Sequence, residues 1–177
     1  LQTQSQIRKD IYRTRSMHSA ELPQETGEAM FRILLAIAKR RMDMEYTQGM
    51  NFICLFFLDC GFQEEEVFWI LVHIFEQVHF PAYYRDLTHF MGDCRLFKIL
   101  LRQAYPKLYS FFEEKNVDLT GLLLKQFLCL FTSVDNHLFR LIAMDLILLE
   151  GGSGVYRILL VCFGLFEKEI TDLEDPE

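Results

Sequence analysis

Two short stretches of this chain hold side chains whose types and spacing could do chemistry. The first is Ile7, Asp10, Arg13 and Thr14, reading I-x-x-D-x-x-R-T, and the second is Tyr46 to Asn51, reading Y-T-Q-G-M-N. Asp10 and Arg13 are three apart, so in a helical turn the carboxylate hydrogen-bonds the guanidinium and fixes its direction. Taken alone, that is most often an ordinary surface ion pair steadying a turn by a few tenths of a kcal/mol. Gln48 stands in front of a glycine and an apolar helix, where the leading amides present partial positive charge. Gly49 has no side chain, so another molecule's backbone can approach it closely.

Other chemistries find less support. His73, Glu76 and His79 occur at spacing three, but on a helix each such step turns by about 300°, leaving the two histidines ~120° apart. His89 and Asp93 share a face, yet two ligands are too few, and exposed or core histidines are the plainer reading. No Cys or Ser occupies a sharp strand-to-helix turn beside a recognisable base. The Gly151, Gly152, Ser153, Gly154 run lacks the G-x-x-x-x-G-K-[ST] order of a phosphate-cradling loop. It reads as a flexible turn ending a helix.

The elements that must position these residues are helical. The chain has 177 residues, 51% apolar and 24% charged, the composition of one globular domain. Apolar positions recur at three- and four-residue spacing from Met30 onward, and two-residue alternation is almost absent. The pattern predicts helices over about 25–42, 47–58, 64 to just before Pro81, 87–104, 105–115, 119–132, 136–150 and 154–169. The fourth and fifth are either one helix broken at Pro106 or a helix pair. Short gaps at 133–136 and 151–154 favour antiparallel neighbours.

Charge and cysteine content bound the function. Net charge is −7, which argues against a nucleic-acid partner. Residues 1–45 hold eight Lys or Arg against six acids, whereas residues 46–177 hold ten against nineteen. The basic end is therefore the plausible phosphate-facing end, against the bland reading of a fluctuation on a solvated surface. Cys54, Cys60, Cys94, Cys129 and Cys162 are far apart with no CxxC, which favours the reducing cytosol. The longest uncharged stretch, Tyr46 to Leu58, is 13 residues, short of the ~20 needed to span a bilayer. The first twenty residues are polar and basic, unlike a signal peptide. Beginning at Leu1, the chain reads as a piece of a longer protein.

The two motifs, in this order, resemble those of the TBC domain of Rab GTPase-activating proteins. The resemblance continues through Val67, Phe68, Trp69, then Phe127, Leu128, Leu130, Phe131, Thr132, and Asp145 to Glu150 with Gly151. It implies an all-α fold, a single TBC-like domain over residues 1–177 with about seven to eight helices, lacking part of the family's N-terminal helices. It also implies catalysis in trans on a GTP-bound Rab-type GTPase. Arg13 would stabilise charge on the phosphoryl oxygens, and Gln48 would orient the attacking water. Asp10 would aim Arg13. Thr14, Tyr46, Gly49, Met50 and Asn51 would support the fingers and contact the GTPase, and Ile7 and Asp145 would be structural. No cofactor of its own is implied, since GTP and Mg²⁺ arrive with the partner. The implied setting is cytoplasmic, with recruitment to endomembranes through the partner or regions outside this chain.

Four positions depart from the family pattern. Gln126 stands where Trp is usual, Asn136 where Pro is usual, Met144 in place of Trp, and Ile142 where Arg is common, with Arg140 nearby as a substitute. They bear on packing and partner contacts of the C-terminal half. Two other functions compete: a non-catalytic module of the same fold that binds a GTPase or another protein as a scaffold, and a helical interaction domain in which both motifs are accidental. Lys39, Arg40 and Arg41 are a candidate partner contact, set against an ordinary solvated helix face.

Overall fold

The computed structural model describes residues 2–14, 22–40, 46–78 and 88–172. Helix is the regular structure among the described residues, in the order α1 Gln2–Tyr12, α2 Gln24–Arg40, α3 Met50–Asp59, α4 Glu64–His73, α5 Thr88–Ala104, α6 Pro106–Glu114, α7 Leu119–Cys129, α8 His137–Glu150, α9 Gly152–Leu165 and α10 Glu167–Thr171. The helix α4 runs on into a single π turn, Ile74–Val78. The all-helical expectation therefore holds, with two more segments than the periodicity gives. One is α1, which carries too few apolar residues to show a stripe. The other is α10, cut from α9 at Phe166.

Local chemistry sets the boundaries. In α2, Met30, Ile33, Leu34 and Ile37 fall on one face and are buried, each worth roughly 1.5–3 kcal/mol relative to exposure. Gln63 and Glu66 close a capping box ahead of α4, whose first turn holds three glutamates that suit the positive end of the helix dipole. Tyr105 leaves helical geometry and Pro106 begins α6, so the 87–115 stretch is a helix pair. Asn136 is the N-cap of α8, its Oδ1 accepting the Phe139 amide at 2.9 Å. That capping role explains how Asn serves where the family favours Pro.

Two differences from the sequence reading have clear causes. Helix α7 stops at Cys129, three residues before Thr132, because Leu130 and Phe131 adopt left-handed φ of 48° and 62°. Both side chains are buried, and that burial offsets a backbone cost of order 1 kcal/mol each. The 151–154 run is not a flexible turn. Gly151 alone breaks the chain, and Gly152, Ser153 and Gly154 form the first turn of α9. A Cβ on Gly154 would lie 3.0 Å from the Leu146 carbonyl oxygen, so glycine permits the close approach of α9 to α8. The core is aromatic around α9: Phe163 meets Phe97 and Phe112 at centroid distances of 5.5 and 5.7 Å, and Tyr156 meets Phe127 at 5.5 Å.

Candidate functional site

The site begins with an amphipathic arrangement that only two isoleucines reveal. Ile7 and Ile11 turn inward from α1, with Ile7 fully buried as a core anchor. Asp10 lies between them on the same face, so its carboxylate is drawn in as well, to 2% exposure. A buried carboxylate needs donors, and three side chains supply them. Asp10 Oδ1 accepts Arg13 Nη2, Oδ2 accepts the Tyr46 hydroxyl at 3.1 Å, and Gln6 Nε2 donates to both oxygens at 3.3 and 3.1 Å. The Asp10–Arg13 contact is thus not an ordinary surface pair: its carboxylate side chain is 1% exposed while the arginine side chain is 62% exposed. The buried partner, together with the Lys9 carbonyl 3.3 Å from Arg13 Nε, sets the direction of a solvent-facing guanidinium.

A second route leaves Asp10 through its backbone. The Thr14 hydroxyl donates to the Asp10 carbonyl at 2.6 Å and accepts Asn51 Nδ2 at 2.8 Å; Asn51 Oδ1 in turn accepts the Gly49 amide at 3.0 Å. The end of α1 and the turn before α3 are therefore joined twice, once through Tyr46 and once through Thr14 and Asn51. Thr14, Met50 and Asn51 are all buried, and the hydrogen bonds of Thr14 and Asn51 run within this chain. Gln48 is exposed in the Gln48–Gly49 turn ahead of α3, which opens at Met50 rather than near Thr47.

Gly49 is needed for this chain's own sake. Its φ of 125° is glycine territory, and an added Cβ would stand 2.8 Å from the Leu128 carbonyl oxygen in α7. The backbone that comes close here is this chain's own. Burial, followed by the facing Asp10 carboxylate, raises the Tyr46 hydroxyl far above its ordinary pKa. Tyr46 is therefore a fixed neutral donor across the neutral range.

The other candidates fall elsewhere. Asp145 is exposed on α8. Asp93 accepts the Tyr156 hydroxyl and ties α5 to α9, His73 and His89 are exposed, and His79 lies outside the described residues. Arg41 is also outside them. Arg40 donates to Glu76 at 3.1 Å and stands 5.5 Å over the Trp69 ring, bracing α2 against α4. Arg140 Nη1 reaches the Thr132 carbonyl at 3.5 Å, while Ile142 is exposed and Met144 buried. Sequence reasoning missed Gln6 and Leu128. Gln6 is four residues from Asp10, a spacing that could have pointed to it; nothing local announces Leu128.

A helical domain thus holds an exposed arginine against a buried carboxylate and ties that helix end by hydrogen bonds to a glutamine-bearing turn. Residues 1–171 match the model of the Rab-GTPase-TBC domain, and the chain belongs to that family. It is 34% identical to TBC1 domain family member 2B of Xenopus tropicalis over 178 residues, covering 96% of this chain and 18% of that protein. It is 31% identical to human TBC1 domain family member 2A over 175 residues, covering 96% of this chain and 19% of that one. The chain thus spans about a fifth of the length of these curated relatives. Among solved structures, the Chlamydomonas flagellar RabGAP TBC domain superposes with a TM-score of 0.82 at 23% identity, over 97% of this chain and 57% of that one. Its likeness shows the shared fold.

Proposed function

We propose that this chain accelerates GTP hydrolysis by a Rab-type small GTPase, supplying Arg13 and Gln48 in trans. The observation that carries the reading is the double hydrogen-bonded link between the Arg13 and Gln48 segments, with both of those side chains left in solvent. Asp10 holds the guanidinium from below and leaves most of the side chain outward, so a planar, permanently charged fork is available to phosphoryl oxygens. The Gln48 carboxamide, which both donates and accepts, suits the holding of a water. A supplied arginine is worth about 10³ to 10⁵ in rate. GTP and Mg²⁺ would come with the partner. No helix among the described residues is long and apolar enough to cross a membrane. A Rab-type partner would place the activity at the cytoplasmic face of endomembranes, in control of vesicle trafficking.

The test is a single-turnover hydrolysis screen over a panel of purified, GTP-loaded Rabs, with parent, Arg13→Ala and Gln48→Ala side by side. At least one Rab should be accelerated by the parent. Arg13→Ala should lose about a thousandfold of that acceleration, and Gln48→Ala most of it, with unchanged circular dichroism. An Arg13→Ala chain as active as the parent would refute the assignment. Binding of a GTP-loaded Rab without acceleration would instead identify a non-catalytic module.

A further inference from the structure

Arg13 has a neighbour that the proposed chemistry does not use. Tyr12 is the last residue of α1 and is 91% exposed, more than any other large apolar side chain among the described residues. Beside it a groove of about 780 Å³ runs between α1 and α2, shared by Tyr12, Arg13 and Thr14, with Ile11, Leu22 and Phe31 among its apolar lining. Arg8 lies flat on the Phe31 ring at 3.8 Å and pairs with Glu28 at 3.4 Å, so the charges at this edge are already engaged with one another. Among the described residues, the Tyr12 ring is no part of the core. Exposed tyrosines next to a concave apolar surface are what interface hot spots are made of, because a rigid ring is desolvated at small entropic cost.

We propose that Tyr12 and this groove form the affinity-determining contact for the GTPase: the ring packs against the partner's surface bordering its nucleotide pocket, and the groove receives an apolar side chain from there. The inference rests on the proposed function. Tyr12 and Arg13 line the same groove, so an Arg13 guanidinium placed on the partner's phosphates brings the partner's neighbouring surface to the groove and the Tyr12 ring at its edge. Continuity with the Arg13 contact selects a GTPase as the occupant. Since the ring does not reach the reacting atoms, its contribution is the same in the ground and transition states, which alters KM and not kcat.

The experiment measures KM and kcat for hydrolysis by a Rab that the parent accelerates, using parent, Tyr12→Ala, Tyr12→Phe and Arg13→Ala, together with the Kd for the GTP-loaded Rab. Tyr12→Ala should raise KM and Kd about tenfold with kcat within twofold; Tyr12→Phe, which keeps the ring, should stay near the parent. Arg13→Ala should show the opposite split, with kcat lost and Kd little changed. KM within twofold for Tyr12→Ala, or a fall in kcat at constant KM, would overturn the docking role while leaving the arginine chemistry standing. A parent that neither binds nor accelerates any Rab would overturn both.

Discussion

Two regions of this domain bury polar side chains, and they do so with opposite results. Around Asp10, the carboxylate accepts Gln6, Arg13 and Tyr46, while the Asp10 carbonyl, the Thr14 hydroxyl and the Asn51 amide pass hydrogen bonds from one to the next until the Gly49 amide is satisfied. At the corner between α7 and α8, Gln126 Oε1 and Arg140 Nε are buried with no hydrogen-bond partner among the described residues. A closed polar network in a low-dielectric setting fixes one geometry, whereas an orphaned polar atom only costs desolvation. The closed network coincides with the segments that keep both family motifs. The orphaned Oε1 belongs to Gln126, where the chain departs from the family's usual Trp. Polar burial at the first site positions something; at the second it is the residue of a substitution.

The hardest blow to the first region should be Gly49→Ala. It forces a side chain into a φ of 125° and against the Leu128 carbonyl, and α7 backbone cannot yield as the tip of a flexible side chain can. A loss of about 3 kcal/mol is expected, from strain and clash together, read from chemical denaturation at an unchanged m-value. Stability within 1 kcal/mol of the parent would mean that the turn before α3 is not pinned against α7 as described.

Asn51→Ala should come next. It removes the acceptor of the Gly49 amide and the donor to Thr14 in one step, leaving the buried Gly49 amide unsatisfied and the Thr14 hydroxyl with its bond to the Asp10 carbonyl alone, at a cost of about 2 kcal/mol. Because the Gln48 turn is then untethered on one side, stimulated hydrolysis should fall further than stability alone accounts for. Equal stability in parent and variant, measured by denaturant titration, would reduce the relay to an incidental contact.

These two positions also show what a linear reading can reach. The motifs themselves, and helices such as α2 with Met30, Leu34 and Ile37 at helical spacing, are visible in residue order, since local periodicity is what a helix face consists of. The Asp10–Arg13 pair is likewise legible, its partners three positions apart. The Thr14–Asn51 bond is not, for its partners are 37 residues apart and meet only once α1 has packed on α3. Helix α1 escaped for a related reason: Ile7 and Ile11 are its only buried apolar residues, and the third buried residue is an aspartate. The composition of the 151–154 run mimics a loop, while close packing of α8 on α9 is what glycine serves there.

The second region predicts the smallest effect and the opposite sign. Gln126→Met keeps an unbranched side chain of similar length and removes the unpartnered oxygen. Replacing a buried group that lacks a partner by an apolar one is neutral to favourable, here by up to about 1 kcal/mol. For a domain of this size, that corresponds to a rise of roughly 2–4 °C in Tm. Hydrolysis should be unaffected, because Gln126 lies outside the Asp10 network. If Gln126→Met instead destabilised the chain by as much as Asn51→Ala does, the amide would have to be making a contact of comparable worth, and the contrast between the two regions would vanish.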